Sequence, residues 1–328
     1  SLVGSEMCIR DRSSPRDASW VTNSRPIPDV PPVTMLVAMT TNLRQLAASD
    51  HSSRGLSGYS WPMSAHPIGS HVSLDDVLGG RVVGNLAQVT VSDPQSWKKP
   101  RFDNPGGAQA VREAAQKAGV TVVVHSPFVI NLASLNNRIR IPSRKLVQQT
   151  LDAAAEIGAI GVVVHGGHVR QGEPIEKGQD NWRKAIDGFD FPVPLLVENT
   201  AGGENAMART LERLTGTWQA IGAAQGAENV GFCLDTCHAF AAGLDMNTLV
   251  DDIRAITGRI DLVHANDSQG AAGSGRDRHA NLGQGQIDPQ TLGEVIAAAD
   301  APTVVETPGD EPDRRADVEW IEQALQRQ

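Results

Sequence analysis

Between Val230 and Ile287 the chain carries three short motifs rich in metal-binding residue types: Gly231-Phe-Cys-Leu-Asp-Thr-Cys-His238, Val263-His-Ala-Asn-Asp-Ser268 and Gly273-Ser-Gly-Arg-Asp-Arg-His279. Asp235, His238, His264, Asp277 and His279 are all of types that bind a divalent cation. Asp277 and His279 are two residues apart, so an extended or looped backbone lets both point the same way. Asp235-x-x-His238 leaves a strand end and reaches about one turn onward. A mixed imidazole and carboxylate set suits zinc, with manganese or iron as second choices. One such pair near a loop is ordinarily a pair of solvated polar groups. Two such pairs with His264 between them, all from Asp235 to His279, ask for another explanation.

Positioning such a set requires a scaffold, and the chain shows one. Eight short β-branched runs recur, each followed by a loop and a helix-like segment: Ile68–Val72, Leu86–Val91, Thr121–His125, Ile160–His165, Val193–Glu198, Val230–Asp235, Ile260–His264 and Pro302–Glu306. Val122-Val-Val124 and Val162-Val-Val164 are continuous apolar runs, as strands buried on both faces require. Ser143, after Pro142, is placed to cap a helix running to Ile157 and ended by Gly158. Further helices are expected at Gly107–Ala118, Asn205–Ala223, Met246–Thr257, Asp288–Ala299 and Arg314–Gln326. Eight β-α units predict an α/β protein with a single (β/α)8 TIM barrel. The alternative is a doubly wound open sheet, but no Gly-x-Gly-x-x-Gly follows the first strand. His125, His165, Glu198, Asp235, His264 and Glu306 each end a predicted strand. In a barrel those ends converge on one face.

The rest of the composition bounds the reading. The chain has 328 residues, 40% hydrophobic and 20% charged, within the range of soluble globular proteins. No apolar run approaches the roughly 20 residues that span a bilayer. Cys8, Cys233 and Cys237 give no disulfide framework, which suits a reducing cytoplasm. Cys233 and Cys237 read as buried small thiols rather than half of a zinc ribbon. The formal charge of −9 argues weakly against nucleic-acid binding. Bound cations at one face would nonetheless give an acidic chain a positive cleft. Residues 1–66 lack periodicity, despite a short apolar patch at Val33–Leu46, and are expected to be a disordered extension. Ser1–Arg12 looks foreign to a natural protein, and Met63 is the expected start. Residues 67–328 are expected to be the catalytic domain.

His125-Ser-Pro-Phe-Val-Ile-Asn-Leu-Ala-Ser134, Val164-His-Gly-Gly-His168, Val197-Glu-Asn-Thr-Ala-Gly-Gly203 and the three motifs above together resemble endonuclease IV, the zinc-dependent apurinic/apyrimidinic endonuclease family. The resemblance runs from about Ile68 to Gln328. It implies three zinc ions, with manganese as an alternative at some positions. His125, His165 and Glu198 would hold the first, and Glu198, Asp235, His264 and Glu306 the second. His238, Asp277 and His279 would hold the third. Glu198, which bridges two ions, and Glu306 would be the catalytic carboxylates. Two zinc ions about 3.5–4 Å apart can hold a hydroxide and present it to phosphorus. The implied reaction is hydrolysis of the phosphodiester 5′ to an abasic site in double-stranded DNA, leaving a 3′-hydroxyl and a 5′-deoxyribose phosphate, as base excision repair requires. An abasic nucleotide lacks stacking, so extruding it costs less than flipping a normal one.

DNA contacts are expected from loops over the same face: Gln95 and Trp97 after strand two, Phe128 and Leu132 after strand three, and Arg276 beside Asp277. Trp97 and Phe128 could wedge or stack where a base is missing. Many family members carry Tyr where Phe128 stands. Lys98, Lys99 and Arg101 lie behind Trp97, and Arg138, Arg140, Arg144 and Lys145 form a second basic cluster with a solvated helix start as its equal rival. His71 and His168 are read as lining the site without ligating. The resemblance favours a monomer with no membrane association. The rival enzyme is a metal-dependent sugar isomerase or epimerase of the same barrel type, which would use fewer metals. A non-catalytic abasic-DNA binder is the rival of another class, but it could dispense with ligands, and none is missing here.

Overall fold

Valine-rich runs become strands here because β-branched side chains pack well on a pleated surface and a parallel sheet covered by helices buries both faces. The computed structural model describes His66 to Arg327. The readings made for residues 1–65, including Cys8, Val33–Leu46 and Met63, lie outside the described residues.

The strands are β1 (Ile68–His71), β2 (Leu86–Val89), β3 (Thr121–His125), β4 (Val162–His165), β5 (Leu195–Glu198), β6 (Val230–Asp235), β7 (Leu262–His264), the short β8 (Asp267–Ser268) and β9 (His279–Ala280), and β10 (Thr303–Val305). β1 to β7 and β10 close a barrel in the order β1-β10-β7-β6-β5-β4-β3-β2, and every neighbouring pair is parallel. Closure excludes the doubly wound sheet. β8 and β9 pair antiparallel beside the barrel. The helices are α1 (Leu74–Leu78), α2 (Gly107–Ala118), α3 (Asn137–Glu156), α4 (Ile175–Ile186), α5 (Leu211–Gly222), α6 (Thr236–Ala242), α7 (Leu249–Thr257), α8 (Pro289–Ala299) and α9 (Glu311–Gln326).

Several helix starts differ from expectation, α7 among them at Leu249 rather than Met246. α3 begins at Asn137, not Ser143, because the Asn136 side chain accepts from Arg138 N and caps it. Pro142 lies inside the helix, near its start, where a missing N–H gives up one ladder bond without breaking the turn. Ser143 instead donates to Ile139 O at 2.8 Å and accepts from Asn131 N at 2.9 Å, tying a loop to the helix. α5 begins at Leu211 rather than Asn205, since Ala206 is engaged in a bridge with His168 and Thr210 supplies the cap. α9 starts at Glu311 with a proline in its first turn, a position where the proline N–H is not needed.

Alternation along the strands sorts the core. Leu86, Val123, Val163, Leu196, Cys233, Leu262 and Val304 share one cluster with Ile160, in the barrel interior. Their neighbours Val122, Val124, Val162, Val164, Leu195 and Val197 pack outward with α2, α3 and α4, and Phe232, Leu234, Val263 and Val305 pack with α7, α8 and α9. Side chains two residues apart share a face. Stepping on two from each interior residue therefore reaches Gln88, His125, His165, Glu198, Asp235, His264 and Glu306. The apolar filling of the barrel thus ends in a polar layer at the C-terminal mouth.

Candidate metal centre and active-site cleft

Glu198 is the centre of this polar layer. It is fully buried at the end of β5, and its two oxygens face different partners. Oε2 lies 3.3 Å from His125 Nε2 and 3.2 Å from His165 Nε2. Oε1 lies 3.2 Å from His264 Nδ1 and 3.2 Å from His238 Nδ1. The donor atoms of His125, His165 and Glu198 lie within 4.8 Å of one another, and so do those of Glu198, Asp235, His264 and Glu306. Asp235, His238 and His279 form a further group, as do Cys237, Asp277 and His279. Asp277 joins the last two histidines, with Oδ2 3.2 Å from His238 Nε2 and Oδ1 3.2 Å from His279 Nε2. All nine residues that the sequence pointed to are therefore brought to one place.

Local structure explains each placement. Asp235 ends β6 and caps α6, its Oδ1 accepting from His238 N at 2.6 Å, which swings His238 back over the barrel. Asn199 exchanges hydrogen bonds with the Asp235 backbone, and Asn266 donates to Asp235 Oδ2 at 2.7 Å while accepting from Glu306 N at 2.9 Å. His125 Nδ1 faces Ser126 O at 2.7 Å, His238 Nδ1 faces Asn199 O at 2.9 Å, and His279 Nδ1 faces Glu306 O at 3.2 Å. A carbonyl can only accept, so each of these Nδ1 atoms carries its proton and each Nε2 is left to ligate. The two asparagines were not anticipated. Their signal in the sequence is adjacency to Glu198 and to the His264 motif.

The charges are those of a cation-binding cluster. Burial opposes charge on His264, but Cys233, Glu306 and Glu198 beside it raise its pKa well above the usual value. Burial likewise opposes charge on His238, and Asp235, Asp277 and Glu198 outweigh it. His279 is raised to about 9, with Asp277, Asp235 and Glu306 overcoming burial. Glu198 is driven well below the usual carboxylate range by His165, His264 and His125 although burial works the other way, and Glu306 falls to about 2 under His264 and His125. The carboxylates thus draw in protons where a cation would otherwise sit. Nε2 of His238 and Nε2 of His279 are buried with no aligned hydrogen bond, although each lies 3.2 Å from an Asp277 oxygen. Orphaned imidazole nitrogens converging with carboxylates are what a divalent metal needs, so the residues present fit the group. Burial pushes Cys233 and Cys237 up to about 12, and both are buried free thiols, as expected.

A cleft of about 420 Å³ opens beside the first donor group, lined among others by Trp97, Phe128, Asn131, His165, His168 and Gly203. Phe128, 50% exposed, stacks on His165 with ring centroids 5.7 Å apart. Trp97 is 46% exposed, and Phe128 N donates to Pro94 O, linking the two loops. His168 lines the cleft, with its backbone clamped by Asn131. Gln95 and Arg276 are exposed on the loops expected to carry them. Leu132, expected among the DNA contacts, is instead fully buried in the core between sheet and helices, so its side chain offers no surface to a ligand. An apolar residue in a loop turned inward because the core offered it more buried area. Arg144 donates to Asn181 O and Arg140 to Ser134 O, so half of the second basic cluster is committed to holding α3 in place. A Cβ on Gly202 would sit 2.3 Å from Gly275 O, so only glycine lets the loop after β5 meet the loop bearing Asp277.

A closed parallel barrel with histidine and carboxylate donors gathered at its C-terminal mouth defines a TIM-barrel enzyme of the metal-dependent kind. The family model for xylose isomerase-like TIM barrels matches residues 87–324. A probable endonuclease 4 of Mycobacterium ulcerans is 50% identical over 262 residues, covering 79% of this chain and 98% of that protein. One of Mycobacterium tuberculosis is 52% identical over 244 residues, covering 73% and 92%. The crystal structure of endonuclease IV from Thermus thermophilus superposes with a TM-score of 0.65 at 29% identity, over 80% of this chain and all of that one. A D-tagatose 3-epimerase-like protein superposes with a TM-score of 0.64 at 20% identity over 79% and 97%, a likeness of fold alone. The chain belongs to the endonuclease IV family.

Proposed function

We propose that this chain hydrolyses the DNA backbone on the 5′ side of abasic sites in double-stranded DNA, leaving a 3′-hydroxyl and a 5′-deoxyribose phosphate, as a step of base excision repair. The observation that carries the reading is the division of Glu198, whose two oxygens serve two donor groups at once. Three zinc ions are the proposed complement. His125, His165 and Glu198 would hold the first, Glu198, Asp235, His264 and Glu306 the second, and His238, Asp277 and His279 the third. When bound, the ions supply positive charge against the phosphoryl oxygens and acidify the attacking water.

The chain's own residues do the rest. Glu198 and Glu306 are the catalytic carboxylates, ionised and fixed at the barrel mouth. Asp277 is half exposed, so the third group reaches the rim of the mouth. Phe128 covers His165 and limits water at the first group. Trp97 and Phe128 are positioned to stack where a base is missing, and Gln95 and Arg276 to meet phosphate. Sugar isomerisation would leave His238, Asp277 and His279 without a purpose, which favours phosphodiester chemistry. The chain is proposed to act as a monomer. No helix among the described residues is long and apolar enough to cross a membrane. Two buried free thiols suit the cytoplasm as its place of work. The test is cleavage of a duplex with one synthetic abasic site, beside an intact duplex, with and without chelator. Chelator-sensitive cutting confined to the abasic strand is expected, and no cutting by zinc-loaded protein would refute the proposal.

A further inference from the structure

Every barrel strand contributes one polar side chain to the layer at the mouth, yet two of the eight are not candidate donors. They are His71 and Gln88, register partners on β1 and β2. Gln88 is fully buried. Its Oε1 lies 2.7 Å from His264 Nε2, and its Nε2 lies 2.5 Å from Glu306 Oε1 and 3.1 Å from His71 Nδ1. An ionised carboxylate accepts only, so the amide NH2 must face Glu306, and Oε1 is left to accept from His264. That hydrogen bond places the His264 proton on Nε2. It frees Nδ1, which lies 3.2 Å from Glu198 Oε1 and 3.2 Å from Glu306 Oε2, to act as the donor atom.

We infer that Gln88 is a positioning residue of the second donor group, one buried amide that selects the tautomer of His264 and the orientation of Glu306. The inference rests on the metal-holding reading above. His125, His238 and His279 have their protonated nitrogens held by backbone carbonyls, which no side-chain change removes. His264 relies on a side chain instead. Gln88 holds Glu306 by one oxygen and leaves the other facing the group. Its remaining N–H is taken by His71 Nδ1, so the amide stays in register at the bottom of the site. A buried amide with all three contacts made resists rotation, because turning it would bring its oxygen against the Glu306 carboxylate.

The test compares zinc-loaded wild type with Gln88→Met and Gln88→Glu in the full chain. Methionine keeps the length and removes every hydrogen bond. Glutamate keeps an acceptor for His264 but, ionised, cannot donate to Glu306. Each protein is challenged with graded chelator, the remaining zinc is counted by elemental analysis, and visible spectra are recorded after loading with cobalt(II). Gln88→Met is expected to surrender one metal equivalent at roughly 10–100-fold lower chelator than wild type, with the others retained and the cobalt bands altered. Gln88→Glu is expected to move the same way, and it decides alone if Gln88→Met does not fold. Wild-type chelator resistance and cobalt spectra in the variants, even with a lowered melting temperature, would make Gln88 merely structural and overturn the inference. Wild type that retains no zinc would overturn the metal-holding reading itself and this inference with it.

Discussion

His165 and Glu198 are register partners at the ends of adjacent strands, and His165 Nε2 lies 3.2 Å from Glu198 Oε2. The sheet fixes both backbones side by side, and His125 joins His165 in holding Oε2. On its far side His264 and His238 hold the other oxygen. Glu198 is thus locked between two donor groups. Glu198→Gln keeps the shape and removes the charge, and an amide bridges two cations poorly. Turnover on an abasic duplex is expected to fall by at least roughly a hundredfold, in line with the several kcal/mol of Lewis-acid stabilisation. Affinity in gel shifts at fixed salt should fall less, since phosphate contacts remain. Near-normal turnover would remove the bridged arrangement from consideration.

His279 points its free nitrogen at Asp277, 3.2 Å away, with Asp235 farther off at 3.7 Å, and meets Glu306 only through its backbone carbonyl. His279→Ala should therefore lose about one metal equivalent by elemental analysis and keep those held around Glu198. Loss of all metal at once would mean that the groups are not separable sites.

The histidine pKa values give a pH dependence of definite sign. In metal-free protein His279 is raised from 6.5 to about 9, so its contribution to stability is complete below 6.5 and disappears as pH rises through about 9. Glu306, lowered from 4.5 to about 2, contributes above 4.5 and loses its contribution as pH falls through about 2. Chelator-treated protein should melt at lower temperature near pH 9.5 than near 6.5, taking about those values as the ends of the window. Metal binding must displace the same protons, so apparent affinity should rise with pH up to about 9, by about tenfold per unit for each proton displaced. Thermal melts and chelator competition across pH check both slopes. Slopes of one sign would contradict the assignment.

A chain beginning at Met63 should fold and cut like the whole, because β1 starts at Ile68 and the barrel closes with residues from there on. Melting temperature and turnover of the two forms are the comparison. Failure of the shorter chain to fold would assign residues 1–62 a structural role.

The barrel was legible because valine runs and their spacing are local signals, and the nine donors because each ends a strand or sits in a dense motif. Contacts made across the barrel were not. Gln88 sits in the middle of Leu86-Ala-Gln-Val89, and only closure of β1 onto β10 brings it to Glu306. Leu132 was misplaced because an apolar loop residue gives no local sign of whether it faces core or ligand. α4 escaped notice since its buried residues Gly178, Asn181, Trp182, Ala185 and Ile186 mix polar and apolar types. α6 was hidden inside the Asp235 to His238 motif, where capping and ligation use the same carboxylate.

These donors are proposed to form one metal centre that cuts abasic DNA. The most direct measurement strips the protein with chelator, restores zinc in steps, and follows cleavage of a single-abasic-site duplex at each step. Cleavage should be absent at first, climb steeply and level off at about three equivalents per chain, as polynuclear hydrolysis requires. Full cleavage by stripped protein, or a plateau at one equivalent, would contradict it.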